Sequence, residues 1–272
     1  TTVLIVSDVA MGSGFVINAR GHVATNYHVI EGKDNVKCIF LLGNTLHVRE
    51  AKVVCTKPQS DLAIIKVERF PAARPMTIAS YKPASNQEVM ALGFPGILFR
   101  ELLRDLPAFL SALDTDGNKR VFGADRDEFS PATFNGNIAQ LKKLSWFFGG
   151  SFDAITHSAK ISGGNSGGPL VDADGNAVGI NVGGVSNKKF NVDYSYAIRA
   201  SELIELAGDH GIPITTEADK PSKSEPGKSS KSEPGKPPKS EPEKPPKSEP
   251  GKSSKTEVNK PSGPGPIALT GG

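Results

Sequence analysis

The sequence predicts an all-β body, a sandwich or a barrel, followed by a low-complexity tail. Three observations predict it. Short runs rich in β-branched and aromatic residues recur between Gly, Asn and Asp turns. Helical periodicity is confined to two segments. Near residue 219 the composition changes so sharply that the 37% hydrophobic average describes neither part of the 272-residue chain.

Strands are expected at 15–18 and 22–25, on either side of a turn at 19–21. Others at 37–42 and 46–54 flank Gly43 and Asn44, a pair favoured in two-residue hairpins. Runs at 62–67, 89–92, 170–171, 177–182 and 194–198 continue the pattern. Cys38 and Cys55 fall within or beside such runs. Two cysteines make neither a disulfide framework nor a zinc pattern, so they read as small apolar residues, with a bridge between them left open. The first helix signal covers 99–113, where Phe99, Leu102, Leu103, Leu106, Leu110 and Leu113 recur at three- and four-residue steps and Pro107 kinks or restarts the helix. A helix inside a β body reads as an insertion, either a flap packed on the barrel or an element that contacts partners or substrate. Near the end of the body, Ser201 is expected to cap a helix carrying Leu203, Ile204 and Leu206, stopped by Gly208 or Gly211.

Residues 219–272 hold 12 of the 21 prolines and 11 of the 32 Lys plus Arg, with four apolar residues and no aromatic. Such a segment buries too little apolar surface to offset the entropy of ordering and is expected to be disordered. From Lys223 it runs in octapeptides: KSEPGKSS, KSEPGKPP, KSEPEKPP, KSEPGKSS, KTEVNKPS. Five extended copies span on the order of 120 Å, so the tail reads as a spacer that holds the body off a surface such as a cell wall, or as a solubilising extension. Its end, Ile267-Ala-Leu-Thr-Gly271, resembles a cell-wall sorting signal without the hydrophobic segment and basic tail that signal needs. Once residues 219–272 are set aside, 21 basic and 22 acidic residues remain, so the net charge of +3 belongs to the tail. A near-neutral body argues against nucleic acid as a partner, and no run of about 18 apolar residues is present to span a bilayer. The chain opens at Thr1 with no initiator Met, and residues 3–6 are too short for a signal peptide, so an upstream segment is expected to have been removed.

Candidate chemistry centres on Gly163-Gly164-Asn165-Ser166-Gly167-Gly168-Pro169-Leu170, where glycines on both sides of a serine let the backbone turn tightly and approach a substrate. Gly164-x-Ser166-x-Gly168 also satisfies the nucleophile-elbow pattern. An elbow needs a helix after the serine and then an acid and a histidine downstream, yet Pro169 and a hairpin-like LVDADGNAVGI follow. The five histidines lie at 22, 28, 47, 157 and 210, and the only one after Ser166 sits at the end of a surface helix. Better partners lie upstream: His28 at a strand end and Asp61 before an apolar strand, giving the order His, Asp, Ser.

At this point six motifs converge: GSGFVI at 12–17, TNYHVI at 25–30, DLAIIKV at 61–67, ALGFPG at 91–96, GNSGGPL at 164–170 and YAIRASEL at 196–203. Together they resemble the chymotrypsin-fold serine proteases of the HtrA (Deg) type over nearly all of residues 1–210. The resemblance implies two perpendicular six-stranded β-barrels within a protease domain at 1–218, with the active site in the cleft between them. It implies a serine endopeptidase, extracytoplasmic and without cofactor or metal, that cuts unfolded or flexible protein segments. By triad logic Ser166 attacks the peptide carbonyl, His28 carries the proton, Asp61 orients His28, and the N–H groups of Gly164 and Ser166 form the oxyanion hole. The competing reading is a latent or inactive scaffold that binds proteins in the manner of a chaperone. By the same resemblance Lys160, Ile161, Asn181, Val182, Gly183 and Tyr196 line the primary pocket. Ile161 implies a small apolar pocket that takes Val, Ala or Ile, with Lys160 turned outward because burying an unpaired ammonium is costly.

The sequence also departs from that family. Asp61 and Ser166 are 105 residues apart, and the excess maps to an insertion at about 97–130, placed near the start of the second barrel. No PDZ-like domain follows the body, so peptide-sensing regulation is expected to be absent, and oligomerisation of the HtrA kind is not implied. Asp114-Thr-Asp116-Gly-Asn118 begins like a calcium loop, but Lys119 takes the glycine position and Asp172-Ala-Asp174-Gly-Asn176 repeats the string in a hairpin, so both read as Asp-Gly turns.

Overall fold

The computed structural model describes residues 1–7, 10–33, 36–96, 106–145, 150–187 and 192–219. Strands β1 (Thr2–Val6), β2 (Met11–Val16), β3 (His22–Asn26), β4 (Val36–Leu42), β5 (Thr45–Lys57) and β6 (Leu62–Val67) pair antiparallel in the order β4-β1-β2-β3-β6-β5. The β4–β5 hairpin closes them into a six-stranded barrel, with Gly43 at a positive φ of 60° in its two-residue turn. A second closed barrel comprises β7 (Glu88–Gly93), β9 (Ala132–Ser145), β10 (Ser151–His157), β11 (Pro169–Val171), β12 (Ala177–Asn187) and β13 (Val192–Arg199), in the order β10-β13-β12-β11-β7-β9. Between β7 and β9 a short β8 (Asn118–Arg120) pairs with residues 45–47 of β5.

Strand alternation sorts the apolar residues into separate cores. In β1, Val3 and Ile5 fill the first barrel with Val16, Val23, Phe40 and Ile65, while Leu4 and Val6 face the opposite side. Val89, Ala91, Ile155, Leu170 and Val178 fill the second barrel. A third cluster joins Phe15, Ile17, Leu62 and Ile64 of the first barrel to Phe152, Ile180 and Ile198 of the second. Leu203 and Leu206 of the final helix pack into that same cluster, so the helix seals the seam between the barrels.

Among the described residues four short α-helices decorate this body: α1 (Tyr27–Ile30), α2 (Leu106–Ser111), α3 (Gly123–Glu128) and α4 (Ala200–Asp209). Helix α4 starts one residue before the expected cap, with Arg199 at the N-cap and no side-chain cap bond, so Ser201 lies inside it. Of the expected 99–113 helix, residues 99–105 lie outside the described residues; α2 covers Leu106–Ser111 and includes Pro107. The insertion packs on the outer face of the first barrel: Phe109, Val121 and Phe129 bury against Leu4, Val6, Ile39 and Leu46, with Phe109 and Phe129 stacked at 5.5 Å. Strands β9 and β10 have no counterpart among the expected elements. In β9 only Ile138 is buried, so no clear alternation betrays it. Cys38 and Cys55 are free and buried in different clusters.

The candidate loop at 114–118 carries a cation of its own. Arg49, buried, donates to the carbonyls of Asp116 and Gly117 at 2.9 and 3.1 Å and to Asn118 Oδ1 at 2.8 Å. Asp114 Oδ1 accepts the N–H groups of Asp116 and Asn118, an Asp turn as expected.

Candidate active site

Strand β3 ends at Asn26, and the single turn of α1 then presents His28 at the edge of the first barrel. Asp61 follows a 3₁₀ turn at Pro58–Ser60 and adopts a left-handed backbone with φ 52° and ψ 42°, a conformation that Asp tolerates better than most residues. Both carboxylate oxygens face His28: Oδ1 accepts its backbone N–H at 2.8 Å, and Oδ2 lies 2.6 Å from Nδ1. The Asp61 carbonyl in turn accepts the Tyr27 N–H and Asn26 Nδ2 at 3.1 and 3.0 Å. Asp61 is fully buried while the His28 side chain stays about one-third exposed, so the imidazole is fixed at one nitrogen and open at its other side.

The Ser166 loop is pinned to both barrels. Ser13 N–H donates to the Ser166 carbonyl at 2.8 Å, and Gly167 N–H donates to the Asn181 carbonyl at 2.8 Å. Gly167 has φ 86°, and a Cβ there would lie 2.1 Å from the Ser13 carbonyl and 2.3 Å from Thr25 Oγ1, so the loop lies directly against β2 and β3. Ser13 Oγ donates to the Gly164 carbonyl at 2.7 Å and accepts the Phe94 N–H at 2.9 Å. The Gly163 and Asn165 carbonyls accept from Gly96 and Gly168, and because trans peptide units hold N–H opposite C=O, the Gly164 and Ser166 N–H groups point away from those anchors. Neither N–H has an acceptor among the described residues.

The Ser166 hydroxyl donates to the Val182 carbonyl at 2.8 Å. Val182 sits where the β12–β13 register slips between Asn181 and Gly183, a bulge that leaves its backbone outside the ladder. Beside Ser166 opens a cavity of about 450 Å³ lined by Lys160, Ile161, Val182 and Gly183, together with Ser158, Ser162, Gly163, Gly184, Tyr194 and Ser195. Two expected lining residues are elsewhere. Asn181 is buried with Nδ2 on the Pro169 carbonyl, and its main chain clamps the serine loop. The Tyr196 ring lies under the Lys142 ammonium at 5.4 Å; its neighbours Tyr194 and Ser195 take the place in the wall. Lys160, expected to turn outward, is exposed and borders this cavity.

Sequence reasoning passed over Ser13, Asn26 and Glu202. Glu202 of α4 accepts Lys57 Nζ, Ser60 Oγ and the Asp153 N–H at 2.8–3.1 Å, tying the turn before Asp61 to the second barrel. Burial alone would raise its pKa, but these bonds carry it below the ordinary carboxylate value. No signal short of the GSGFVI motif marked Ser13, whose role depends on a loop 151 residues away.

The two closed antiparallel barrels, with a histidine–aspartate pair on one and a glycine-flanked serine on the other, define a serine-peptidase scaffold of the trypsin class. A family model described as trypsin-like peptidase domain matches residues 12–180, more than half of the chain, and the chain belongs to that family. It is 31% identical over 172 residues to Protease Do-like 1, chloroplastic, of Arabidopsis thaliana, covering 62% of this chain and 32% of that protein. Over 174 residues it is 32% identical to a probable periplasmic serine endoprotease, DegP-like, of a Marinomonas strain, covering 63% and 29%. The chain thus spans about a third of the length of these curated relatives. Among solved structures, the inactive form of the Rv3671c protease of M. tuberculosis superposes with a TM-score of 0.56 at 25% identity, covering 77% of this chain and 88% of that one.

Proposed function

We propose that the chain is an HtrA-like serine endopeptidase that hydrolyses peptide bonds in unfolded or flexible protein segments through an acyl-enzyme. The carrying observation is the His28–Asp61 pair, held at 2.6 Å with Asp61 fully buried, on the barrel edge against which the Ser166 loop is pinned. The mechanism requires the Ser166 hydroxyl to leave the Val182 carbonyl and turn about Cα–Cβ toward the imidazole, a rotation of the picosecond-to-nanosecond class for a half-exposed side chain. His28 then takes the hydroxyl proton as the oxygen attacks, and returns it to the leaving amine; Asp61 keeps the proton on Nδ1 and stabilises the imidazolium. The Gly164 and Ser166 N–H groups receive the developing oxyanion, a contribution of about 10²–10³ per donor. Lys160, Ile161, Val182 and Gly183 receive the side chain before the cut, while Asn181 and Tyr196 act from behind the wall.

Residues 1–218 form the catalytic domain on this reading; the repeat tail expected at 219–272, as spacer or tether, lies outside the described residues from 220 onward. The relatives named as periplasmic support an extracytoplasmic location. Among the described residues no helix is long and apolar enough to cross a membrane. A second reading, a latent or binding scaffold, draws on the Ser166–Val182 bond, which occupies the nucleophile. Cleavage of casein and of a peptide library by the full chain separates the two. Turnover that Ser166→Ala abolishes supports the peptidase; binding without turnover in both proteins supports the scaffold.

A further inference from the structure

The cavity beside Ser166 has an uneven chemistry. Among its described lining residues Lys160 is the only charged one; Ser162 and Ser195 contribute hydroxyls, while that of Ser158 is engaged with Asn137. Lys160 is exposed, and none of the ion pairs among the described residues includes it. An exposed ammonium at the edge of this space offers a carboxylate a charge-assisted bond that an apolar side chain cannot form. The surrounding body is near neutral, so the attraction is local to this wall rather than a field of the whole molecule.

We propose that the chain cleaves after glutamate or aspartate, with Lys160 as the specificity-determining cation and the serine hydroxyls completing the carboxylate's shell. The inference rests on Ser166 being the nucleophile of a peptidase. It replaces the small apolar preference drawn from Ile161, which lines the same cavity but holds no partner for the ammonium.

The test uses the full chain and quenched peptides that differ only before the scissile bond: Glu, Asp, Gln, Val or Lys. Glu and Gln match in shape and differ in charge, so their ratio isolates the electrostatic part. Expected is a kcat/KM about tenfold to a hundredfold higher for Glu than for Gln, the range of a hydrogen bond to a charged group. That ratio falls with added salt, survives in Lys160→Arg and inverts toward the Lys peptide in Lys160→Glu. Glu and Gln within about twofold, a preference for Val, or a ratio that Lys160→Glu leaves unmoved, overturns the inference. Fluorophosphonate labelling run in parallel tells the two failures apart. Labelled, cleaving protein without acidic preference overturns the specificity alone; protein that neither labels nor cleaves overturns the peptidase reading and the inference with it.

Discussion

Asp61 combines a left-handed backbone, complete burial and two carboxylate bonds to one residue, His28. Asn at this position keeps the shape but presents an amide where Nδ1 needs an acceptor, favouring the wrong tautomer. Asp61→Asn is therefore expected to lower kcat by about 10⁴ with little change in KM, read by steady-state kinetics on a cleaved peptide. Ser13 offers a subtler check. Ser13→Ala removes the hydroxyl that bridges the Gly164 carbonyl and the Phe94 N–H. A loosened oxyanion loop should cost kcat less than the about 10²–10³ lost with a whole donor, while KM stays near its starting value; an unchanged kcat would show that the loop holds without the bridge. The His28–Asp61 pairing was legible because the proposed chemistry needs those side chains beside recognisable strand patterns, and Ser166 stands out by its flanking glycines. Ser13, Asn26 and the Val182 carbonyl were not, because they act through main-chain atoms or on them, and any short polar residue is compatible with their sequence surroundings.

At the level of elements, the seam between the barrels joins the proposed catalytic residues to the contacts that hold the fold. Glu202 on α4 gathers donors from Lys57, Ser60 and Asp153, so the turn that carries Asp61 depends on a helix residue 142 positions beyond Ser60. Glu202→Ala leaves the Ser60 hydroxyl and Asp153 N–H without this acceptor and is expected to destabilise the fold by about 1–3 kcal/mol, measured as a shift in urea midpoint at unchanged m. Gly167→Ala tests the other side of the site. A Cβ 2.1 Å from the Ser13 carbonyl cannot be absorbed by side-chain movement, since the obstacle is backbone. Loss of both activity and several degrees of melting temperature is expected by thermal scan and peptide assay; a wild-type profile would mean that the serine loop stands further from β2. The barrel strands with two-residue alternation were readable from the sequence. Strand β9 was not, because among its fourteen residues only one side chain is buried and its pairing with β7 and β10 is a matter of position rather than pattern. The insertion was readable as such, but its docking on the first barrel rests on Phe109, Val121 and Phe129 meeting the outward face of β1, which local sequence does not encode.

For the molecule as a whole, acid should act through His157. This histidine is buried in β10 opposite Ser195, and neither ring nitrogen has a hydrogen-bond partner among the described residues at full geometry. Burial lowers its pKa from 6.5 to about 4, offset only in part by a contact with the Ala159 backbone. Because the folded state binds the proton less readily than the unfolded state, stability is full above pH 6.5 and declines as pH falls through the window between 6.5 and about 4. The contribution is on the order of 3 kcal/mol. Urea unfolding at pH 7 and pH 4 should therefore show a larger loss for the wild-type chain than for His157→Leu, which carries no such proton; parallel losses would assign the acid sensitivity to carboxylates such as Glu202 instead.

The central claim is that His28, Asp61 and Ser166 work as one unit in the cleft. Reaction of the intact chain with a fluorophosphonate, followed by mass-spectrometric mapping, tests it most directly because only a serine activated by its neighbours reacts quickly. The predicted result is one adduct per chain, on Ser166, lost in Ser166→Ala and slowed by about 10³ or more in His28→Ala. An intact chain that takes up no reagent, or one whose labelling ignores the loss of His28, would contradict it.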